Sequence, residues 1–205
     1  HSSEFLADWT FRQEEGKDSS ENVFVYSDPD TGLEIRCTRR LFADFPAVDW
    51  VLTFHNTGGG DTPIIEDVQA LDATWIREDA GEFVLHWAMG SLARREDFAP
   101  QEEQLRPRTT VALAPSNGRS SDTTAFPFFN IQEPGGGTIV AVGWSGQWAA
   151  SVERDDERGL RVRAGMELTH LTLHPDEKIR TPRILLSFWE GEDRIAGHNQ
   201  FRQLV

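Results

Sequence analysis

The sequence predicts an all-β protein, a large sandwich of two antiparallel sheets that ends in a short C-terminal helix. Apolar and polar residues alternate along most of the chain, turn-forming residues separate the alternating segments, and helical periodicity is nearly absent. A chain of 205 residues can build one substantial core, and this many short strands need two stacked sheets. We therefore expect residues 1–205 to form a single domain.

The alternation assigns the strands one by one. In residues 48–55, Val48, Trp50 and Leu52 share one face, as a half-buried strand requires. The same pattern predicts further strands at about 22–27, 32–39, 63–72, 83–89, 109–114, 138–144, 147–154, 158–164, 167–174 and 180–189. Turn-forming residues typical of hairpins separate them at 28–32, 57–61, 134–137 and 155–159.

Two segments depart from the alternation. From about Asp193, Ile195, Phe201 and Leu204 can share one helical stripe, which predicts a C-terminal helix. Residues 91–108 have no clear period and predict a long loop over the sheet. Long loops on a rigid scaffold often carry function.

Composition excludes several classes of partner. A formal net charge of −14, with Lys and Arg scattered, argues against nucleic acid. No stretch approaches the roughly 20 apolar residues that span a bilayer. The single cysteine, Cys37, excludes an internal disulfide, and its alternation with Leu33 and Ile35 predicts that it packs as a small apolar residue.

Two motifs suggest a metal site, and both have a simpler interpretation. The stretch DPDTGLE at 28–34 has aspartates spaced like calcium ligands, but its glycine comes one position early and Arg39 stands where an EF-hand has glutamate. In a strand, His170 and His174 of HLTLH would lie about 13 Å apart, too far to share an ion. We predict a hairpin turn and surface histidines, with no metal and no cofactor.

Two further motifs suggest catalysis or phosphate binding. GWSGQW resembles a nucleophile elbow, yet Gln147 replaces the last glycine and no helix follows. The glycine runs at 58–60 and 135–137 open no helix and lack the Lys-Ser/Thr of a phosphate loop. We interpret the glycine runs as turns and exclude a serine hydrolase.

Residues 75–98 and 118–148 combine aromatic and polar side chains. The chain has seven tryptophans, and aromatic rings with planar polar partners are suited to sugars. An ordinary sandwich core has the same composition, so composition alone leaves both interpretations open.

The order of six segments is more specific, and the chain resembles the N-terminal domain of bacterial α-galactosidases of glycoside hydrolase family 36 from about residue 8 to its end. The segments are DWTFRQEEGKDSS at 8–20, LFADFPAVDWVLTFHNTGGGDTPIIEDVQALD at 41–72, LHWAMGSLARREDFAPQEEQL at 85–105, GRSSDTTAFPFFNI at 118–131, GGTIVAVGWSGQWAASV at 136–152 and GHNQFRQLV at 197–205. The resemblance implies a β-supersandwich, similar in topology to galactose mutarotases, that precedes a catalytic (β/α)8 barrel.

The resemblance also implies that this chain carries no catalytic residue. In the family both catalytic aspartates lie on the barrel, and neither of their motifs occurs here. We therefore expect the catalytic barrel of the same polypeptide as partner, with α-galactoside oligosaccharides as the substrates that it acts on.

The resemblance leaves the domain a role at the rim of the substrate pocket or at the barrel interface. The candidate residues are Trp75, Arg94, Arg95, Glu96, Asp97 and Phe98, then Arg119, Ser120, Ser121 and Asp122, and finally Trp144, Gln147 and Trp148. The alternative is that Arg95 with Glu96, and Arg119 with Asp122, brace loops within the sandwich. For residues 144–148 we favour architecture, with two strands meeting at Ser145 and Gly146.

Two other functions stay open. A stand-alone carbohydrate-binding module would show an aromatic-lined groove, whereas a domain that packs on a barrel would show a flat apolar patch near the C-terminal helix. A mutarotase-like epimerase would need a histidine acid and a glutamate base converging on the sugar, and His86 or His170 could supply the acid.

Overall fold

The computed structural model describes residues 6–77, 81–91 and 93–205, and it confirms the all-β fold class. The strands of this part are β1 Thr10–Glu15, β2 Glu21–Ser27, β3 Leu33–Leu41, β4 Ala47–Asn56, β5 Ile65–Glu66, β6 Gln69–Ile76, β7 Phe83–Ala88, β8 Pro100–Leu105, β9 Thr110–Leu113, β10 Phe128–Glu133, β11 Gly136–Gly143, β12 Trp148–Arg154, β13 Gly159–Met166, β14 His170–Leu171, β15 Lys178–Arg180 and β16 Arg183–Glu190, and they are followed by helix α1 Arg194–Leu204. No helix of the described residues is long and apolar enough to cross a membrane.

The strands form two stacked antiparallel sheets and a small two-stranded ribbon. The large sheet has the order β1-β2-β3-β4-β16-β11-β10-β7-β8, with β15 added to β4. The small sheet has the order β6-β13-β12-β9, and β14 pairs with β5 in the ribbon. The two-sheet sandwich is therefore as predicted, with unequal sheets.

The main core lies between the two sheets. Phe83 and Phe129 of the large sheet and Trp148 of the small sheet are completely buried in it. Because successive side chains of a strand point to opposite faces, Phe129 and Ile131 face this core while Asn130 faces away from it.

A second core covers the opposite face of the large sheet. Ile139, Trp189 and Phe201 form this cluster, in which Phe201 comes from α1. The helix begins one residue after the predicted Asp193, whose side chain accepts a hydrogen bond from Ile195 N at 2.9 Å and so caps the first turn. We call this covered side the outer face of the large sheet.

Besides the three-residue strand β15, three strands were not predicted, for two physical reasons. β1 and β8 are the edges of the large sheet, and most of their residues are exposed, so no apolar alternation marks them. β8 corrects the prediction of a loop over 91–108, since residues 100–105 pair with β7. β10 is buried on both faces, which removes the alternation that predicts a half-buried strand.

Other predicted strands are shorter or differently connected. The strand expected at 63–72 is split into β5 and β6, and that at 167–174 is reduced to His170–Leu171. Two strands do end and begin on either side of Ser145 and Gly146, as expected, but they do not pair with each other, because β11 belongs to the large sheet and β12 to the small sheet. Residues 144–147 therefore cross from one sheet to the other. Cys37 lies half-buried on β3, opposite Leu52.

Helix α1 fits against the sheet through a glycine. A Cβ atom on Gly197 would lie 2.5 Å from Cγ of Trp189 and 2.7 Å from its Cδ2. The close approach of helix and indole ring therefore requires the absence of a side chain at this position.

We predict that Gly197→Ala destabilises the domain by about 1–3 kcal/mol, because the added methyl group overpacks the contact with Trp189. Helix propensity alone predicts a gain of about 1 kcal/mol from the same change. Urea unfolding of wild type and Gly197→Ala shows whether the substitution lowers or raises the free energy of unfolding. Ala196→Gly, on the exposed side of the same helix, is the control and is expected to cost no more than about 1 kcal/mol. A more stable Gly197→Ala variant would contradict this packing.

Candidate functional site

Two long loops lie side by side and contain most of the predicted site residues. Loop A, of which the structure describes residues 89–91 and 93–99, joins β7 to β8, and loop B, residues 114–127, joins β9 to β10. Phe126 N donates a hydrogen bond of 2.9 Å to Ala88 O, at the start of loop A. A Cβ atom on Gly90 would lie 2.1 Å from Asp122 O and 2.2 Å from Ser121 Oγ, so only glycine permits this contact. The loops are held together as one unit.

Asp122 fixes the shape of loop B. Its carboxylate is completely buried and accepts hydrogen bonds from Ser116 N and Oγ, both at 2.5 Å. Thr124 donates through N at 2.9 Å and Oγ1 at 2.7 Å, and Asn117 Nδ2 lies at 3.0 Å. Burial raises the pKa of Asp122, but the hydrogen bonds from Ser116 and Thr124 outweigh it, so the net pKa is well below the usual value. Asp122 is a structural anion.

Gln147 and Trp148 attach loop B to the small sheet. Trp148 Nε1 donates to Ser120 O at 2.8 Å, and its ring fills the main core. Gln147 Oε1 accepts from Gly118 N at 2.6 Å, while Gln147 Nε2 donates to Glu167. The two side chains therefore act as architecture here, supporting the loop that contains the candidates Arg119, Ser120, Ser121 and Asp122.

The structure places Trp75 and Trp144 apart from this attachment. Trp75 is half-buried on β6, the edge of the small sheet opposite β9, and its Nε1 lies 3.4 Å from Thr138 Oγ1. Trp144 is half-buried against the main core, with the guanidinium of Arg180 5.1 Å from its ring centre. The structure does not bring Trp75 to loops A and B.

Loop A is braced by Asp97. The Asp97 carboxylate accepts hydrogen bonds from Ser91 Oγ at 2.6 Å and from Arg94 N at 3.0 Å. Glu96 contributes its backbone carbonyl, which accepts from Ala99 N at 3.0 Å. These bonds fold the segment into a compact turn.

A row of aromatic rings connects both loops to the C-terminal helix. Phe98 of loop A lies 5.6 Å from Phe126 of loop B, centre to centre. Phe126 lies 5.1 Å from Phe128, which in turn lies 5.3 Å from Phe201 of α1. The first two contacts are edge-to-face, a favourable arrangement of aromatic rings, and the third is tilted. Loops A and B and α1 therefore form one continuous packed surface.

Three arginines project from these loops. Arg94, Arg95 and Arg119 are exposed, and within the described residues none of their side chains makes a hydrogen bond or an ion pair. Arg119 in particular does not pair with Asp122, whose oxygens are occupied by Ser116, Asn117 and Thr124. The bracing pair expected between residues 119 and 122 is therefore absent from the described structure.

The histidines considered for acid catalysis lie far apart in the fold. His86 is buried on β7, between Gln132 Oε1 at 2.8 Å and Glu102 Oε2 at 3.2 Å. His170, on the ribbon, pairs at the surface with Glu66 at 3.0 Å.

His170 and His174 of HLTLH are both exposed, as predicted. His174 Nδ1 lies 2.8 Å from Asp61, whereas His170 pairs with a different carboxylate. Across the described ranges, no three His, Cys, Asp or Glu side chains are grouped so as to hold a metal ion.

The comparison with known families now places the domain. The model of the glycosyl hydrolase family 36 N-terminal domain matches residues 9–174. This chain belongs to that family. The resemblance drawn from the six sequence segments is thereby confirmed. A comparison with curated protein sequences finds no match.

Solved structures similar to this family 36 domain include the α-galactosidase from Lactobacillus brevis, at a TM-score of 0.70 and 18% identity over 94% of this chain and 27% of that chain. The family 36 α-galactosidase AgaA from Geobacillus stearothermophilus has a TM-score of 0.66 at 18% identity, over 89% of this chain and 28% of that chain. The galactosidase domain of the α-galactosidase-sucrose kinase AgaSK has a TM-score of 0.67 at 18% identity, over 88% of this chain and 27% of that chain. The domain thus spans little more than a quarter of the structures that it matches.

Sequence reasoning missed the partners of Asp122 and the aromatic row. Ser116, Asn117 and Thr124 flank Asp122 in a stretch rich in Ser, Thr, Asn and Asp, and side chains of these types bond to nearby backbone. That local signal could have identified Asp122 as a loop brace. Phe128 and Phe201 are too distant in sequence for any such signal.

We predict that Asp122→Asn destabilises the domain, by about 1.5–3 kcal/mol at pH 7, because a charged acceptor of several buried hydrogen bonds is replaced by a neutral amide. The folded pKa lies below the unfolded value of 3.8, so this stabilisation is complete above about pH 4 and is lost as pH falls toward the folded pKa. Urea unfolding of wild type and Asp122→Asn at pH 7 and at pH 3 measures this stabilisation. The stability gap between wild type and Asp122→Asn should narrow at the lower pH.

Asp30→Asn is the control for this experiment, because Asp30 is exposed in the 28–32 turn. It should leave stability within about 0.5 kcal/mol of wild type at both pH values. A gap for Asp122→Asn that is equally wide at pH 3 would show that the buried carboxylate is not held as an anion.

Proposed function

We propose that this chain is the non-catalytic N-terminal domain of an α-galactosidase, and that loops A and B contact the catalytic barrel of the same polypeptide at the rim of its substrate pocket. Family membership and the similarity to solved α-galactosidase structures support the enzyme class. The substrates of such an enzyme would be α-galactoside oligosaccharides.

The observation that carries the role of the loops is the set of exposed arginines, Arg94, Arg95 and Arg119, on a rigid support. In a chain of net charge −14, carboxylates are abundant, yet none of these guanidinium groups has an ion-pair partner within the described residues. A guanidinium presents planar donors that suit a carboxylate on a facing domain or neighbouring hydroxyls of a sugar. Because Asp122 and Asp97 already fix the loops, little conformational entropy is lost on contact.

Apolar side chains on the same side of the domain support a packing surface there. Phe98 of loop A is 56% exposed. Ile195 on α1 is 53% exposed, and Val205, directly after the helix, is 79% exposed. Exposed apolar residues of this size near a chain connection are typical of a surface that packs against another unit. We place the barrel against this side of the domain.

The mutarotase-like alternative gains no support from the site. His86 and Glu102 are 3.2 Å apart and paired with each other. An acid and a base that act on the ring oxygen and the anomeric hydroxyl of one sugar must instead face separate atoms of that sugar.

We predict that the purified 205-residue chain does not hydrolyse p-nitrophenyl α-galactoside. Retaining hydrolysis needs two carboxyl groups about 5–5.5 Å apart on opposite sides of the sugar, and the family's motifs for them are not in this sequence. Release of p-nitrophenol is followed at 405 nm, about the absorbance maximum of the phenolate, with buffer as reference. A rate well above buffer from a preparation free of other glycosidases would refute the non-catalytic assignment.

We predict that Arg94→Ala and Arg119→Ala, made in a polypeptide that joins this domain to its barrel, each lower kcat/KM for an α-galactoside oligosaccharide by about tenfold. Loss of a charge-assisted hydrogen bond at the rim accounts for that size of effect. Steady-state kinetics is measured on raffinose and on p-nitrophenyl α-galactoside. Loss of a rim contact lowers kcat/KM more for raffinose, the longer substrate, whereas a general loss of folding lowers it equally for both.

Arg106→Ala is the matched control. Arg106 is exposed directly after β8, at the far end of that six-residue strand from loop A, about 20 Å away. It should leave kcat/KM unchanged. If the two loop variants behave like this control on both substrates, the rim proposal fails.

A further inference from the structure

A pocket on the outer face of the large sheet, beside the ends of loops A and B, has no role in the proposal above. It lies between the edge strand β8 and helix α1 and has a volume of about 320 Å³. His86, Pro100, Glu102, Phe128, Arg194 and His198 are among the residues that line it. Small-ligand sites start at roughly 300 Å³, so this pocket can hold one sugar ring and no longer oligosaccharide.

The floor of the pocket is an aromatic ring in a fixed position. Phe128 packs against Phe126 and Phe201 and lies 6.2 Å from the imidazole of His198, centre to centre. Ala88 and Pro100 extend this apolar floor. A held aromatic ring presents a flat apolar face to the C–H groups of a ligand at little entropic cost.

One wall of the pocket supplies an acceptor. Glu102 on β8 keeps its side chain 59% exposed, and its contact with His86 Nδ1, at 3.2 Å, occupies one of its oxygens. A carboxylate has lone pairs for several donors, so Glu102 can accept further hydrogen bonds from a ligand.

The opposite wall supplies donors. Arg194, the first residue of α1, makes no side-chain hydrogen bond or ion pair with any other residue that the structure describes. Trp189 Nε1, which can only donate, donates a hydrogen bond of 3.0 Å to Asn130 Oδ1. The amide nitrogen of Asn130, Nδ2, therefore faces His198 Nε2 at 3.4 Å. His198 Nε2 must then accept, which leaves the proton on Nδ1.

His198 is held in this neutral form. Burial lowers its pKa, and the positive charge of Arg194 and the neighbouring His86 lower it further. The wall formed by α1 therefore combines one cation with one neutral imidazole.

We propose that this pocket binds a neutral pyranose monosaccharide. Each sugar hydroxyl both donates and accepts, so it needs the mixture of donors and acceptors that Arg194, His198 and Glu102 offer above an aromatic floor. An anion would need donors only, and the Glu102 carboxylate repels it. The pocket adjoins the side of the domain on which we place the barrel, and because its test uses this chain alone, its failure and the failure of the rim proposal can be told apart.

The test is a titration of the ¹⁵N-labelled 205-residue chain with D-galactose and D-glucose, followed by ¹H–¹⁵N NMR. A ligand of about twelve non-hydrogen atoms supports a Kd on the order of 1 mM. We expect saturable shifts of the backbone amides of His86, Trp87, Glu102 and Arg194. D-glucuronate and inorganic phosphate, as anions, should bind more weakly than the neutral sugars.

Arg194→Gln and Glu102→Gln should each weaken the binding about tenfold, since each removes a charged hydrogen-bonding group. Arg202→Gln, in the last turn of the same helix and outside the pocket, is the control and should bind as wild type. Thermal melts check that all three variants are folded. The proposal fails if no saturable shift occurs at 50-fold the expected Kd, about 50 mM sugar, if both pocket variants bind as wild type, or if the anions bind more tightly than the neutral sugars.

Discussion

The large sheet of this domain is buried on both faces where β7, β10, β11 and β16 lie side by side, and the positions of the loops and of the pocket depend on that double burial. The inner face packs on the small sheet through Phe129 and Val140, and the outer face packs on α1 through Ile139 and Trp189. A sheet covered on both sides cannot shift its register without exposing one of two cores. It therefore gives loops A and B and the helix a rigid common base.

Buried polar groups then convert that base into defined loops. The low pKa of Asp122 favours its charged form, which has no ion-pair partner within the described residues and accepts hydrogen bonds from hydroxyl and backbone donors of Ser116 and Thr124. A buried charge that is satisfied locally does not need the surface arginines. This leaves Arg94, Arg95 and Arg119 available for contact with another surface.

Two buried polar side chains of the domain are occupied by contacts within it. The most buried carboxylate, Asp122, is fully occupied in bracing a loop, and the buried His86 is held between Gln132 and Glu102. The loop arginines and Arg194 have no side-chain partner among the described residues, and because a guanidinium stays protonated it is suited to recognition.

The sequence by itself determined the fold class, the C-terminal helix and the family. Alternation such as that of Val48, Trp50 and Leu52 reports which face of a strand is buried, and caps such as Asp193 act within a few residues. Local pattern could not predict β1 and β8, which are exposed at the sheet edges, or β10, which is buried on both faces. Only the tertiary structure decided that 144–147 crosses between sheets, that Gly90 joins the two loops, and that residues of β7, β8, β10 and α1 line one pocket. The reason is physical: contacts between residues far apart in the chain depend on how the sheets stack, and no local periodicity encodes that stacking.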